Sequence, residues 1–144
     1  MDNLTSAQRK KTMQAVRSND TRAEVTVRRL VHSMGFRYRL HVRALPGCPD
    51  LVFSKRRKLI FVHGCFWHGH DCSAGLNVPK SRRDYWIPKL DRNKRRDATV
   101  EAILRDQGWT TLTIWECQLR DIIGLRRKIT NFLHDKETET VRVL

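Results

Sequence analysis

The chain has 144 residues, with 29 Lys and Arg against 15 Asp and Glu, for a formal net charge of +14. That length suits one domain with a single core, and a composition 40% hydrophobic and 31% charged is globular rather than disordered. The longest apolar run, Leu59-Ile60-Phe61-Val62, is far too short to cross a membrane, and no signal-like stretch opens the chain, so a cytoplasmic protein is expected. In a reducing compartment the four cysteines (Cys48, Cys65, Cys72, Cys117) read as free thiols or metal ligands. The charge favours a polyanionic partner. No basic amphipathic helix with a wide apolar face points to a membrane surface, so nucleic acid leads.

In chain order, residues 1–20 are polar and basic, with Arg9, Lys10, Lys11 and Arg17, and read either as a helix opened by Thr5 or Ser6 or as an N-terminal arm. A helix is predicted from Thr21: Thr21-Arg22-Ala23-Glu24 is a capping box, apolar residues recur at Val27, Leu30, Val31 and Met34, and Gly35 stops it. Alternation from Phe36 to Val42 predicts a half-buried strand. A Pro-Gly loop leads to a strand from Asp50 to Phe53, a basic turn, and a strand from Leu59 to His63, together a hairpin. Residues 64–80 are irregular. A helical segment from Arg82 to Gln107 follows, with Pro88 either kinking it or starting its second piece. Trp109 to Trp115 is a further strand, and Leu125, Ile129, Phe132 and Leu133 mark a closing helix. The order α-β-β-β-α-β-α predicts an α/β fold, a mixed central sheet flanked by helices, with a loop inserted after the third strand.

Three groups of residues carry chemistry. Cys65, His70 and Cys72 lie within eight residues, and Cys117 follows at a strand end, so a Cys3His set suited to structural zinc is available. Cys48 and Asp71 are weaker substitutes, and unrelated free thiols are the plainer reading. Asp50 opens one hairpin strand and His63 ends the other, so antiparallel pairing brings these ends together. Glu24 shares a helical stripe with Val27 and Val31 and can point inward. Asp50 with Glu24 can supply the oxygens that Mg2+ requires, and His63 and His68 can transfer protons. A helix cap, a loop-binding acid and structural histidines are the bland equivalents. Lastly, Phe66 and Trp67 in the metal loop, with Trp86, can wedge between base pairs or complete a core, whereas Trp109 and Trp115 belong in the core.

Pro49-Asp50, the run Phe61-Val62-His63-Gly64-Cys65-Phe66-Trp67-His68, Cys72 and Trp115-Glu116-Cys117 together resemble the very short patch repair (Vsr) endonuclease family. The similarity runs from about Thr21 to the closing helix. It implies a restriction-endonuclease-like core over residues 21–144, a structural Zn2+, and Mg2+-dependent nicking at T:G mismatches that arise when 5-methylcytosine deaminates. The matching positions are Asp50 and the Val62 backbone carbonyl for Mg2+, with His63, His68 and Glu24 in the active site. Cys65, His70, Cys72 and Cys117 match the zinc ligands, and Phe66, Trp67 and Trp86 the intercalating aromatics. The basic arm would lie in the DNA minor groove. The resemblance further implies a nucleoid-associated monomer working with the mismatch-repair protein MutL and a cognate cytosine methyltransferase. Val62 stands where Thr is common, and Gly69 and Asp71 thin the histidine run while leaving the inferred ligands in place. Two other readings compete: a zinc-stabilised nucleic-acid-binding module without catalysis, and a restriction-type nuclease cutting both strands.

Overall fold

The computed structural model describes residues 21–76 and 78–134; the basic arm with Arg9, Lys10, Lys11 and Arg17 lies outside the described residues. Helix α1 (Arg22–Ser33) starts where the capping pattern places it, the Thr21 side chain accepting the Glu24 N–H at 3.2 Å. It ends at Met34, and Gly35 follows at φ +90°. Its inward stripe is Glu24, Val27 and Val31, all buried.

The strand predicted over residues 36–42 shrinks to β1 (Arg39–Leu40), both residues exposed. Its alternation has another cause. Phe36 and Tyr38 pack against the core as an irregular edge, and His41 at φ +45° turns the backbone out of extended geometry. Strands β2 (Leu51–Phe53) and β3 (Lys58–His63) form the expected hairpin, with Leu51 opposite Ile60 and Phe53 opposite Lys58. Strand β4 (Thr110–Trp115) pairs with β3 in parallel, His63 opposite Trp115, and the sheet order is β1-β2-β3-β4.

A parallel pair needs a crossover. Here it carries the single turn α2 (Ser73–Leu76) and the 24-residue helix α3 (Arg83–Asp106). Helix α3 runs through Pro88 without interruption; in the second turn the proline leaves the Asp84 carbonyl without its usual N–H donor. A 3-10 turn (Glu116–Arg120), which the sequence pattern did not announce, leads to α4 (Ile122–Leu133).

Strand alternation sorts the apolar residues into two cores. Leu51, Phe53, Ile60, Val62 and Ile114 face Val27 and Val31 of α1 and Leu125, Ile129 and Leu133 of α4. Val52, Leu59 and Phe61 face the other way, against Leu104, Val100 and Trp109 at the α3 side. Fully burying each large apolar side chain is worth about 1.5–3 kcal/mol, so both helix layers are held by the sheet rather than by helix propensity.

The basic turn between β2 and β3 has a structural task. Arg56 donates to the Leu133 carbonyl at 2.9 Å and the Lys58 ammonium to the Phe132 carbonyl. Arg57 donates to the Gln107 carbonyl at 2.8 Å and lies 4.2 Å over the Trp109 ring. These carbonyls end α4 and α3, where helices leave acceptors unpaired and the dipole is negative. Three consecutive cations thus bind the hairpin to helices on both faces.

Candidate active site and metal centre

The site forms where β2 begins and β3 and β4 end, outside the carboxyl ends of the parallel pair, a common ligand position in α/β sheets. The loop Pro46-Gly47-Cys48-Pro49 delivers Asp50 there. Gly47 takes φ +75°, and a Cβ on it would fall 2.5 Å from Val100 of α3, so only glycine lets the loop lie this close to the helix. Asp50 is buried, and its Oδ2 accepts the Val62 N–H at 2.6 Å. Burial pushes its carboxyl up to about 7, the Val62 bond opposes this, and neighbouring Glu24 adds to it. Glu24, His41 and Asp50 each place one ligand atom within 4.8 Å of the others.

His63 and His68 lie stacked, their ring centroids 3.7 Å apart and their planes within 3°. His68 Nδ1 is 2.6 Å from Asp97 Oδ2 of α3. His63 Nδ1 is buried without a hydrogen-bond partner among the described residues. Burial, then the adjacent His68, pushes the His63 imidazole down to about 4, so it is neutral at physiological pH. Asp50, Glu24, His63, His68 and Asp97 all line one cavity of about 970 Å³.

Cys65, His70, Cys72 and Cys117 also converge, one ligand atom of each within 4.8 Å of the rest. Cys48 is not in this group, and Asp71, exposed, lies 3.4 Å from the outer His70 nitrogen instead. The inner nitrogen, Nδ1, is 3.6 Å from Cys117 Sγ. Burial pushes the Cys65 thiol up to about 12, against the pull of the Cys117 N–H, with the thiols of Cys72 and Cys117 adding to the rise. Three sulfurs and one imidazole at this spacing match zinc's tetrahedral preference, so the donor set fits that ion. Helix α2 presses on the loop at Gly75, whose absent Cβ would sit 1.8 Å from the His70 carbonyl oxygen.

Phe66, Trp67 and Trp86 form an aromatic cluster with ring centroids 5.2–5.7 Å apart. None of the three joins either core cluster, but Trp86 is itself buried while Phe66 and Trp67 are half-buried. Trp109 is core, as its strand position predicts. Trp115 is not: it stacks on His70 at 4.2 Å and meets His63 edge-on at 5.3 Å, and all three line the cavity. The reason is register, since Trp115 pairs with His63 at the very end of the sheet, past the helices that cover its middle.

Sequence reasoning missed Asp97 and His41. A signal for Asp97 existed: Trp86, Leu90, Asn93, Asp97, Val100 and Leu104 follow the helical period, with an acid in an otherwise inward stripe. For His41 there was none, because its loop becomes part of the site only through its fold.

An α/β chain with a Cys3His cluster able to hold a metal ion, beside a cavity of carboxylates and imidazoles, has by class the groups of a hydrolytic enzyme. The chain belongs to the family described as DNA mismatch endonuclease Vsr, whose profile matches residues 1–74. It is 50% identical over 132 residues to the type II nicking enzyme V.XorIIP of Xanthomonas oryzae pv. oryzae, covering 92% of this chain and 96% of that one. It is 38% identical over 125 residues to the DNA mismatch endonuclease Vsr of Escherichia coli, covering 87% and 77%. The type II nicking enzyme V.NmeAIP of Neisseria meningitidis is 36% identical over 134 residues, covering 93% and 95%.

Proposed function

We propose that this protein nicks one strand of duplex DNA at a T:G mismatch left by deaminated 5-methylcytosine, hydrolysing one phosphodiester to a 5′-phosphate and a 3′-hydroxyl. The observation that carries the reading is the single cavity shared by Asp50, Glu24, His63, His68 and Asp97. The mixed sheet, with an acid at the start of a hairpin strand, supports a restriction-endonuclease-like core within a single nuclease domain, residues 21–144.

Asp50, with the Val62 carbonyl and Glu24, would hold Mg2+; Cys65, His70, Cys72 and Cys117 would hold a structural Zn2+. Carboxylate and carbonyl oxygens suit the harder ion, and thiolates the softer one. When bound, the Mg2+ would supply Lewis-acid polarisation of the scissile phosphate and stabilise the leaving oxygen. The chain's own groups do the rest. Asp97 accepts the His68 Nδ1 proton, which leaves Nε2 free to take a proton from water, so His68 is the general base. Asp97 also stabilises the imidazolium that results. His63, neutral and stacked on His68, contributes hydrogen bonding to the phosphate rather than charge.

Phe66, Trp67 and Trp86 would enter the duplex beside the mismatch. A wobble pair stacks poorly and costs less to open, which gives selectivity a physical basis. The basic arm (Arg9, Lys10, Lys11, Arg17) would add phosphate contacts. MutL and a cognate cytosine methyltransferase are the partners such a repair step implies, and the protein would act as a cytoplasmic, nucleoid-associated monomer. No described helix is long and apolar enough to cross a membrane.

Incubating matched and T:G-mismatched duplexes with and without Mg2+ tests the proposal. Nicking of one strand of the mismatched duplex, only with Mg2+, is expected. Equal cutting of both strands of matched DNA would make it a restriction-type nuclease. Binding without cleavage would make it a nucleic-acid-binding module.

A further inference from the structure

Arg28 and His41 pack beside the Glu24–Asp50 acid pair, yet neither lines the cavity. Arg28 lies one turn after Glu24 on α1, and its Nη2 is 3.2 Å from Glu24 Oε2 and 2.8 Å from His41 Nε2. Both side chains are largely shielded, at 14% and 17% exposure. The Tyr38 hydroxyl donates to the Arg28 carbonyl at 3.0 Å, pinning this turn of the helix. His41 Nε2 also lies 3.7 Å from Glu24 Oε2, so the three side chains form one contact group. His41 and Glu24 together fix the position of the Arg28 guanidinium. Glu24, His41 and Asp50 converge within 4.8 Å, so the guanidinium shares the space in which the two carboxylates would meet a cation.

We propose that Arg28, held in place by His41, is the resident counter-ion of the Glu24–Asp50 pair and keeps the site's affinity for divalent cations low in the DNA-free protein. The inference rests on the reading of those two acids as cation ligands. Two carboxylates buried side by side need a positive charge, and Arg28 supplies one unit of it permanently. A fixed charge within a few ångströms of a divalent ion weakens its binding by about tenfold even with the screening of bulk water, and by more where burial reduces that screening. The bond to Arg28 also occupies a Glu24 lone pair that a cation would otherwise use.

The test is a titration of Mn2+ into the full-length, zinc-loaded, DNA-free protein, followed by electron paramagnetic resonance of the free ion. Mn2+ accepts the same oxygen and imidazole donors as Mg2+. Arg28→Met, or Arg28→Gln if the former does not fold, is expected to bind Mn2+ at least about tenfold more tightly than wild type. Arg28→Lys, which restores the charge, is expected to return affinity close to the wild-type value. Unchanged or weaker binding in the charge-removed variant overturns the proposal. Asp50→Asn in the same titration separates the two levels of failure. If Asp50→Asn keeps its Mn2+, the cation site itself is misassigned; if it loses Mn2+ while Arg28→Met binds as wild type does, only the counter-ion role is wrong.

Discussion

Asp50 shows most clearly how the site works against the fold. Its carboxyl is raised to about 7 by burial, so between about pH 4 and 7 the folded protein holds a proton that the unfolded chain has released. Stability from this group is therefore complete at low pH and lost as pH rises toward 7. Asp50→Asn removes the ionisation and is expected to raise stability in EDTA at pH 8 by on the order of 1 kcal/mol or more, read as a higher Tm by calorimetry. The same variant is expected to nick mismatched DNA at least about a hundredfold more slowly while binding it as well as or better than wild type. A nicking assay beside a binding titration checks both. Two histidines only two positions apart provide a second contrast. His68→Ala is expected to lose nicking and keep zinc; His70→Ala, like Cys117→Ser, is expected to lose zinc and melt earlier, because metal-binding energy is folding energy. Metal content by atomic absorption and activity, measured on the same preparations, would refute this if His68 and His70 variants failed alike.

Among the elements, the hairpin turn is the most informative. A run of Lys and Arg on a nucleic-acid protein invites a phosphate-binding role, yet Arg56, Arg57 and Lys58 are spent on helix carbonyls. Lys58 is only 2% exposed. Lys58→Met is expected to cost about 1–3 kcal/mol in urea unfolding, since it leaves a partly buried acceptor at the end of α4 unpaired, with DNA affinity unchanged. Loss of affinity without loss of stability would return the turn to the DNA interface. The aromatic cluster is the reverse case. Trp67 packs on Phe66 and on the buried Trp86 but is itself half-buried and joins neither core cluster, so Trp67→Ala is expected to remain folded by circular dichroism. Its preference for mismatched over matched duplex is expected to fall; unfolding with selectivity intact would make Trp67 a core residue.

Across the whole molecule, the +14 charge is the dominant field. Phosphate neutralisation releases counterions, so log K is expected to fall with log salt concentration by about 0.9 per phosphate contacted. Fluorescence anisotropy across a salt series measures that slope, and a flat response would detach the charge from DNA binding. The layering explains why the charge and the chemistry coexist. Sheet alternation commits one face to α1 and α4 and the other to α3, and acids from both layers, Glu24 of α1 and Asp97 of α3, meet Asp50 in the cavity at one end of the sheet.

Much of this was legible in residue order. Capping at Thr21, the β2–β3 hairpin, the existence of the fourth strand and the closing helix follow from local periodicity and turn chemistry, which act over a few residues. The Cys65, His70 and Cys72 spacing was legible for the same reason, and the distant Cys117 because a strand end was an evident place for it. What lay beyond reach depends on packing between elements distant in sequence. Asp97 meets His68 only because α3 crosses back over the sheet, Trp115 leaves the core because its register carries it past the helices, and His41 reaches Arg28 because the predicted strand breaks at a left-handed residue. Periodicity tells a side chain which face to take; the partner it finds there is decided by tertiary contacts, whose free energies are those of burial and hydrogen bonding across the whole fold rather than of local chain preference.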